Sequence, residues 1–176
     1  MQLVILDRDG VINEDSDAYI KAPEEWVPVP GSIEAIARLT AAGVEVAVAT
    51  NQSGLARGLF DQAALDAIHR KMVAAISAAG GRLAGIYYCP HGPDDACECR
   101  KPRAGLLERI GRDLGIDLRG VPVVGDSERD LVAARAVGAR PILVLTGKGQ
   151  ATATRLGPNN EVYADLAAAT DALLSE

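Results

Sequence analysis

The sequence predicts an α/β protein with a central parallel sheet and helices on both of its faces. Short aliphatic runs, too short for helices, alternate with longer segments whose apolar residues recur at helical spacing. Turn-forming residues separate these segments, and there is no internal repeat and no low-complexity stretch. Strands that alternate with helices form a parallel sheet, because each helix must bury its apolar face against the sheet.

The first predicted strand, residues 3–6, runs straight into Asp7 and Asp9, and Gly10 then lets the chain turn away. Ligands of open α/β sheets bind outside the carboxyl ends of the strands. Two carboxylates so close together are costly unless they share a cation or one of them is protonated. Their placement therefore predicts a site for Mg²⁺ and a phosphoryl group. The alternative is a solvated turn that only ends the strand.

The segment from residue 11 to residue 30 is acidic and contains three prolines, which forbid a continuous helix. Long loops in compact domains are usually either functional or disordered. Because Tyr19, Ile20, Trp26 and Val27 give this segment residues that can pack, we expect an ordered active-site loop.

The remaining elements follow from the same periodicities, and glycines mark several helix ends. Asp61 is a suitable cap for a helix whose apolar stripe contains Leu65, Ile68, Met72, Val73 and Ile76. In order, the prediction is a helix at 31–43, a strand at 44–49, a helix at 61–79, a strand at 84–88, a helix at 104–114, a strand at 121–124, a helix at 127–137, a strand at 141–145, an edge strand at 162–163 and a helix at 165–174.

The composition excludes several classes of function. A chain with a net charge of −6 and only 3% aromatic residues lacks the positive charge and the stacking surfaces of a nucleic-acid-binding protein. No apolar run is long enough for a transmembrane helix, and no signal-peptide pattern precedes the first strand. We therefore expect one cytoplasmic domain, residues 1–176, acting as a monomer on a small molecule, with no nucleic-acid or membrane partner.

All three cysteines of the chain, Cys89, Cys97 and Cys99, lie in one short stretch that also contains His91. Three thiolates and an imidazole make a closed tetrahedral zinc shell of the structural type. Disulfides are rare in the cytoplasm, so the clustering favours a metal. The alternative is a set of buried reduced thiols beside a surface histidine. A zinc ion here would brace a loop too short to have its own core and would hold Arg100 and Lys101 beside it.

Polar residues follow several of the predicted strands. They are the acids at 7 and 9, the stretch 50–53 (Thr-Asn-Gln-Ser), the segment from residue 89 onward, and Asp126. The carboxyl ends of parallel strands meet at one edge of the sheet, so these groups are expected to build a single site.

Taken together, these stretches resemble the four motifs of the haloacid dehalogenase-like phosphatases, and the match spans most of the chain in the correct order. The matching residues are Asp7-Arg8-Asp9-Gly10, Thr50-Asn51-Gln52, Lys101, and Gly125-Asp126-Ser127-Glu128-Arg129-Asp130. The resemblance implies a Rossmann-like fold without a large cap domain, in which the 11–30 loop and the zinc loop cover the site. The cysteine stretch is similar to that of the small zinc-containing branch of this family.

The resemblance also implies roles for individual residues. Asp7 would be the nucleophile that forms an aspartyl-phosphate, and Asp9 would be the general acid and base. We expect the surroundings of Asp9 to raise its pKa. Thr50 and Lys101 would contact the transferring phosphoryl group. Catalytic Mg²⁺ would be held by the carboxylates of Asp7 and Asp126 and by the backbone carbonyl of Asp9.

Further residues are expected to contact substrate. The family's sugar-contacting loop aligns with Asp15, Ser16, Asp17 and Ala18, which would otherwise be a solvated acidic turn. Arg100 and Arg57 are candidates for gripping a second phosphate. The remaining expected contacts are Asn51, Gln52, Ser53 and Ser127.

Three side chains near these motifs have structural alternatives. Ser127 would either touch the substrate or cap a helix. Asp130 would either orient a metal-bound water or serve as a first-turn acid favoured by the helix dipole. His69 lies within a predicted helix and is expected to be structural or exposed rather than catalytic.

The zinc-containing branch includes phosphatases of D-glycero-D-manno-heptose 1,7-bisphosphate and of histidinol phosphate. Residues 7–13 and 50–58 are more similar to the heptose enzymes, which implies removal of the 7-phosphate during synthesis of activated heptose for lipopolysaccharide and other cell-surface polysaccharides. The alternatives are a histidinol-phosphate phosphatase and a non-catalytic phosphosugar-binding module. A phosphomutase is disfavoured because there is no large lid to exclude water. The sequence leaves the preferred anomer at C1 open.

Overall fold

The computed structural model describes all 176 residues and confirms the predicted fold class. Six parallel strands form one sheet in the order β3-β2-β1-β4-β5-β6. The elements are β1 (Leu3–Leu6), α1 (Ser32–Ala41), β2 (Glu45–Asn51), α2 (Gln62–Ala78), β3 (Gly85–Cys89), α3 (Gly105–Leu114), β4 (Pro122–Gly125), α4 (Glu128–Ala136), β5 (Arg140–Val144), α5 (Gly149–Ala153), β6 (Glu161–Tyr163) and α6 (Leu166–Leu174). None of the helices combines the length and the apolar character that crossing a membrane requires.

The sheet separates two apolar layers, because successive side chains of a strand point to opposite faces. Val4 and Leu6 of β1 pack into the layer that contains α1, α2 and α6. Leu3 and Ile5 pack into the opposite layer, against α3 and α4. All four side chains of β1 are fully buried, and burial of this kind stabilises the fold by about 1.5–3 kcal/mol for each aliphatic side chain. Asp7 therefore comes directly after a fully buried strand in the middle of the sheet.

Two details of the helices differ from the sequence prediction. The short helix α5 was not predicted, since its five residues, Gly149–Ala153, are too few to show a period. Val73 does not belong to the buried stripe of α2 and is 40% exposed. Met72 occupies the buried position, and the next residue along a helix is turned by about 100° away from it.

The loop between β1 and α1 is ordered and packed. Trp26 and Ile20 are buried, whereas Val27, which was expected to pack, is 52% exposed. Lys71 of α2 donates hydrogen bonds to the carbonyl oxygens of Pro23 (2.7 Å) and Trp26 (2.9 Å). These contacts fasten the far end of the loop to α2 and leave its acidic part beside the carboxyl ends of the strands.

Candidate active site

A pocket of about 430 Å³ lies at the carboxyl ends of the strands, at the edge where ligands of open α/β sheets bind. Twelve of the residues predicted for the site line it: Asp7, Asp9, Asp15, Ser16, Asp17, Thr50, Asn51, Gln52, Ser53, Arg57, Arg100 and Asp126. Three predicted residues, Ala18, Lys101 and Ser127, do not. The fold thus brings together side chains that are up to 119 positions apart in the chain.

Lys101 lies directly behind the acid that ends β1. Its ammonium group is 3.0 Å from Asp7 Oδ1 and 2.6 Å from Asp130 Oδ1, and it donates to the carbonyl oxygen of Ala49 at 2.6 Å. The side chain is only 4% exposed. Although burial opposes the charge, the two carboxylates raise the pKa of Lys101 above its ordinary value. It is therefore a fixed positive charge beneath the pocket.

Asp7 has a strongly perturbed carboxyl group. Burial and then the negative charge of Asp130 raise its pKa to about 8, and the nearby Lys101 opposes this shift. Asp7 Oδ1 accepts from the backbone N–H of Arg8 at 2.8 Å and faces the ammonium group. Its other oxygen, Oδ2, has no hydrogen-bond or ion-pair partner in the protein and is free for a substrate or a metal.

The pKa of Asp9 is shifted in the direction opposite to the expected one. Burial raises its pKa, but the charge of Arg8 and hydrogen bonds from Asn13, Arg8 and Gln52 outweigh burial, so that its pKa is lowered. Arg8 reaches Asp9 Oδ1 through Nε (3.1 Å) and Nη2 (2.7 Å), and Asn13 donates to the same oxygen at 3.0 Å. The expectation of a raised pKa was wrong because the adjacent Arg8 turns back onto the carboxylate.

The residues that follow β2 connect these acids. Gln52 Nε2 donates to Asp9 Oδ2 at 2.9 Å and to the hydroxyl oxygen of Thr50 at 3.0 Å. Asn51 lines the pocket, but its side-chain amide pairs with the backbone of Lys101 in both directions. The Thr50 hydroxyl group donates only a long hydrogen bond, 3.5 Å, to the carbonyl oxygen of Asn51, so an anionic oxygen in the pocket can compete for its hydrogen.

Asp126 follows β4 and faces Asp7 across the pocket floor. Its Oδ2 accepts from the backbone N–H of Lys148 at 2.8 Å, and burial raises its pKa to about 6 against that hydrogen bond. A Cβ atom at Gly10 or Gly147 would lie 2.0 Å or 2.2 Å from this oxygen. Both positions therefore require glycine so that the two loops can approach the carboxylate.

These acids fit a hard divalent cation. Carboxylate oxygens of Asp7, Asp126 and Asp130 lie within 4.8 Å of one another, and carboxylate oxygens are the ligands that Mg²⁺ prefers. Burial and the negative charges of neighbouring acids raise the pKa values of Asp7 and Asp126, and a shared cation would offset those charges. Asp7 and Asp126 line the pocket, whereas Asp130 does not.

Asp130 and Ser127 are joined to each other at the start of α4. Asp130 Oδ2 accepts from the backbone N–H of Ser127 at 3.1 Å and from its hydroxyl group at 2.7 Å, which forms a capping box. Ser127 therefore forms the predicted cap, and its predicted contact with substrate stays a prediction. Asp130 combines the role of a first-turn acid with an ion pair to Lys101.

The predicted zinc ligands come together at the end of β3. His91 Nδ1 lies 3.4 Å from Cys89 Sγ and 3.3 Å from Cys99 Sγ, and Cys97 Sγ lies 3.8 Å from Cys89 Sγ. A tetrahedral Zn²⁺ with Zn–S bonds of about 2.3 Å holds its sulfur ligands about 3.8 Å apart. The donor set fits a closed structural zinc site, although Cys89 Sγ and Cys99 Sγ lie 3.1 Å apart, closer than a bound ion would hold them. Arg100, which directly follows Cys99, donates a hydrogen bond to the carbonyl oxygen of His91 at 3.3 Å.

Four positively charged side chains line the pocket. Besides the predicted Arg57 and Arg100, they are Arg129 and Lys148, which were not predicted. Arg129 lies inside the motif after β4, three residues beyond Asp126, so the motif itself was the signal. The ammonium group of Lys148 lies 3.3 Å from Asp15 Oδ2 and links the two sides of the opening.

The acidic loop also lines the pocket with Tyr19 and Ile20, which were not among the predicted substrate contacts. Tyr19, whose φ is 65°, lines the pocket, and the guanidinium of Arg57 lies 5.9 Å from the centre of its ring. Ala18 lies in a neighbouring depression on the outer side of the loop, together with Lys21 and Val27. The sharp left-handed turn at Tyr19 places its ring, rather than Ala18, toward the pocket.

Comparison with known proteins gives consistent matches. A family model described as HAD-hydrolase-like matches residues 98–169. The D-glycero-β-D-manno-heptose-1,7-bisphosphate 7-phosphatase of Bordetella bronchiseptica is 56% identical, with 100% of this chain and 99% of the relative covered, and that of Pseudomonas aeruginosa is 57% identical, with 98% and 97% covered.

Solved structures agree with these sequence matches. The D,D-heptose 1,7-bisphosphate phosphatase of B. bronchiseptica, complexed with magnesium and phosphate, superposes with a TM-score of 0.96 at 55% identity and 99% coverage of both chains. The corresponding enzyme of Burkholderia thailandensis superposes with a TM-score of 0.79 at 46% identity and complete coverage of both chains.

Proposed function

This chain belongs to the haloacid dehalogenase-like hydrolases, in the group of the heptose 1,7-bisphosphate 7-phosphatases, and we propose that it hydrolyses the 7-phosphate of D-glycero-β-D-manno-heptose 1,7-bisphosphate. The observation that carries this proposal is a pocket whose floor has the Asp7 carboxylate 3.0 Å from a buried ammonium group. The β anomer, which the sequence left open, comes from the names of the relatives.

The reaction begins at Asp7. Its free oxygen attacks the phosphorus of the 7-phosphate, the bond from phosphorus to the sugar oxygen breaks, and an aspartyl-phosphate results. Lys101 and the Thr50 hydroxyl group neutralise and bind the oxygens over which negative charge spreads. Asn51 holds the backbone of Lys101, so that the ammonium group stays aimed at Asp7.

Asp9 supplies the proton to the departing sugar oxygen and then takes one from the water that hydrolyses the aspartyl-phosphate. In the ligand-free site its pKa is lowered. A bound phosphate brings further negative charge close to this carboxyl group, which raises its pKa toward that of a working acid.

Two metals fit the residues of the site. Asp7, Asp126 and the backbone carbonyl of Asp9 would hold Mg²⁺, which neutralises charge on the transferring phosphoryl group when bound. Cys89, His91, Cys97 and Cys99 would hold Zn²⁺ and brace the loop that leads to Arg100 and Lys101. The relative from B. bronchiseptica is complexed with magnesium.

The rim favours a bisphosphate over histidinol phosphate. Arg57, Arg100, Arg129 and Lys148 all line the opening, and guanidinium groups bind phosphate in bidentate fashion. A substrate with a single phosphate and an ammonium group would leave the guanidinium groups of this opening without an anionic partner. Asp15 and Asp17 beside them are placed to accept hydrogen bonds from sugar hydroxyl groups.

The remaining parts of the proposal concern context. The chain would act as a single-domain monomer in the cytoplasm, on a pathway to activated heptose for lipopolysaccharide and related polysaccharides. Light scattering of the purified protein tests the monomer, since a mass near 18.4 kDa is expected.

Phosphate release with Mg²⁺ from both anomers of the heptose bisphosphate and from histidinol phosphate tests the function. We expect the β-bisphosphate to be preferred, and Asp7→Asn to abolish its turnover. Asp117→Asn, which removes an exposed carboxylate, is the matched control and should leave the rate unchanged. Preference for histidinol phosphate would keep the mechanism and overturn the substrate, and full activity of Asp7→Asn would overturn the mechanism.

A further inference from the structure

Arg8 is a fully buried charge that the mechanism above does not use. Its guanidinium is divided between two partners. Nε and Nη2 donate to Asp9 Oδ1, and Nη1 lies 3.2 Å from Nε2 of His69, a buried residue of α2. A buried charge costs several kcal/mol unless it is fully paired. With His69, each of the three guanidinium nitrogens of Arg8 has a hydrogen-bond partner. The same guanidinium holds Asp9, the proposed general acid.

The contact determines the protonation state of the imidazole. A guanidinium only donates hydrogen bonds, so Nε2 must accept, and His69 is neutral with its proton on Nδ1. Burial and the charge of Arg8 lower the pKa of His69 to about 4, against the carboxylates of Asp9 and Asp66. From β3 the ring of Tyr88 packs beside the imidazole, with the ring centres 6.0 Å apart.

We propose that His69 is a positioning residue for the general acid: by accepting from Arg8 Nη1 it fixes the guanidinium, which in turn fixes the rotation of the Asp9 carboxyl group. The proposal rests on the function proposed above, in which Asp9 protonates the leaving oxygen. It gives a role in the reaction to a residue that does not line the pocket.

The arrangement also distinguishes the two oxygens of Asp9. Oδ1 accepts three hydrogen bonds, from Arg8 Nε, Arg8 Nη2 and Asn13 Nδ2, and so has no room for a proton. Oδ2 accepts only one, from Gln52 Nε2. Oδ2 is therefore the oxygen that carries the proton to the leaving group. Without an acceptor at position 69, the guanidinium of Arg8 can rotate away from Asp9. The Asp9 carboxyl group can then rotate too, so that either of its oxygens faces the leaving group.

Kinetics with two leaving groups test this role. Protonation by Asp9 matters for phenyl phosphate, whose leaving phenoxide is basic, and much less for p-nitrophenyl phosphate. The value of kcat/KM covers the steps up to departure of the phenol. For His69→Leu we expect kcat/KM to fall about tenfold more with phenyl phosphate than with p-nitrophenyl phosphate. His69→Gln keeps an acceptor for Arg8 and should restore most of the ratio.

Two comparisons separate positioning from packing. Ile68→Val creates a small cavity at the neighbouring buried position of α2 and should change both substrates equally. Equal losses for both substrates in His69→Leu, or no recovery in His69→Gln, would overturn the proposal. Because only aryl phosphates are compared, the result stands whether or not the heptose bisphosphate is the substrate.

A spectroscopic measurement tests the same contact without turnover. The chain has only two histidines, His69 and the predicted zinc ligand His91, so ¹⁵N spectra of histidine-labelled protein are easily assigned with His69→Gln. We expect His69 to show an unprotonated Nε2 and a protonated Nδ1 down to about pH 5. A protonated Nε2 at neutral pH would contradict the proposal even if His69→Leu does not fold.

Discussion

Asn51 and Lys101 are joined by a reciprocal pair of hydrogen bonds, 50 positions apart in the chain. Asn51 Nδ2 donates to the carbonyl oxygen of Lys101 at 3.0 Å, and Asn51 Oδ1 accepts from the backbone N–H of Lys101, also at 3.0 Å. The side chain at the end of β2 thus holds the backbone of the residue whose ammonium group faces Asp7. The loop that bears Lys101 has no strand of its own to place it.

Replacement of Asn51 by alanine removes both hydrogen bonds at once. We expect a loss of about 1–3 kcal/mol in unfolding free energy, since two partly buried backbone groups lose their partners. We also expect kcat to fall at least about tenfold because the ammonium group is no longer held against Asp7. Urea denaturation and phosphate release measure the two effects. Asn159→Ala, at an exposed position, should change neither, and a normal kcat in Asn51→Ala would contradict the positioning role.

Lys101 neutralises two buried acids, so its removal should destabilise the protein strongly. In Lys101→Met, Asp7 and Asp130 are left without a counter-charge, and we expect a loss of about 3 kcal/mol or more. The double variant Lys101→Met/Asp130→Asn should recover part of this loss, because one of the two unpaired charges is gone. Lys21→Met, which breaks the exposed pair with Glu25, should cost less than about 1 kcal/mol. A double variant no more stable than Lys101→Met would argue against this account.

The zinc site should be needed for the stability of its loop and only indirectly for catalysis. Cys97→Ser removes one ligand, and we expect loss of the bound zinc, a lower melting temperature and reduced activity through displacement of Arg100 and Lys101. Elemental analysis, thermal unfolding and phosphate release on the same preparation give all three quantities. Asp94→Asn, an exposed change in the same loop, is the control. A zinc-free protein with unchanged activity and melting temperature would show that the loop does not need the metal.

The buried imidazole of His69 should make stability depend on pH. Its folded-state pKa, about 4, lies below the ordinary value of 6.5. Between these two pH values the unfolded chain binds a proton that the folded chain does not, so the stability present above pH 6.5 is lost as the pH falls toward 4. At pH 5 this loss amounts to about 2 kcal/mol.

Chemical denaturation of the wild type and of His69→Gln at pH 7 and pH 5 measures this contribution. The variant lacks the titrating imidazole, and it should therefore lose less stability on acidification than the wild type. His91 is present in both proteins and cancels in the comparison. Equal losses in the two proteins would mean that His69 is protonated as readily in the folded state as in the unfolded state.

Much of the site was predictable because its residues follow recognisable strands. Asp7 and Asp9 come directly after the aliphatic run of β1, and Asp126 after that of β4, so the parallel sheet had to bring them to one edge. The four zinc ligands were predictable from their clustering in the chain, because a short loop places all its ligands close together whatever the rest of the fold does.

Other features depended on which side chains meet. The direction of the Asp9 pKa shift was not predictable, because it results from Arg8 folding back and from Asn13 and Gln52 converging on one carboxylate. Arg129 lies in the first turn of α4 and Lys148 lies just before α5, and no periodicity of the chain signals that Lys148 shares an opening with Arg57. Val73 is apolar and exposed because the width of a helix's buried stripe is set by its neighbours.

The sequence by itself determined the order of the strands and of the longer helices, the strand ends that bear acids, and the set of metal ligands, because these follow from local spacing and residue chemistry. Only the tertiary structure decided the partners of each charge. Lys101 pairs with Asp7 and Asp130, Asn51 with the backbone of Lys101, and Arg8 with His69. The reason is physical: the charge state and orientation of a buried group depend on every donor and acceptor within a few ångströms, and those come from distant parts of the chain.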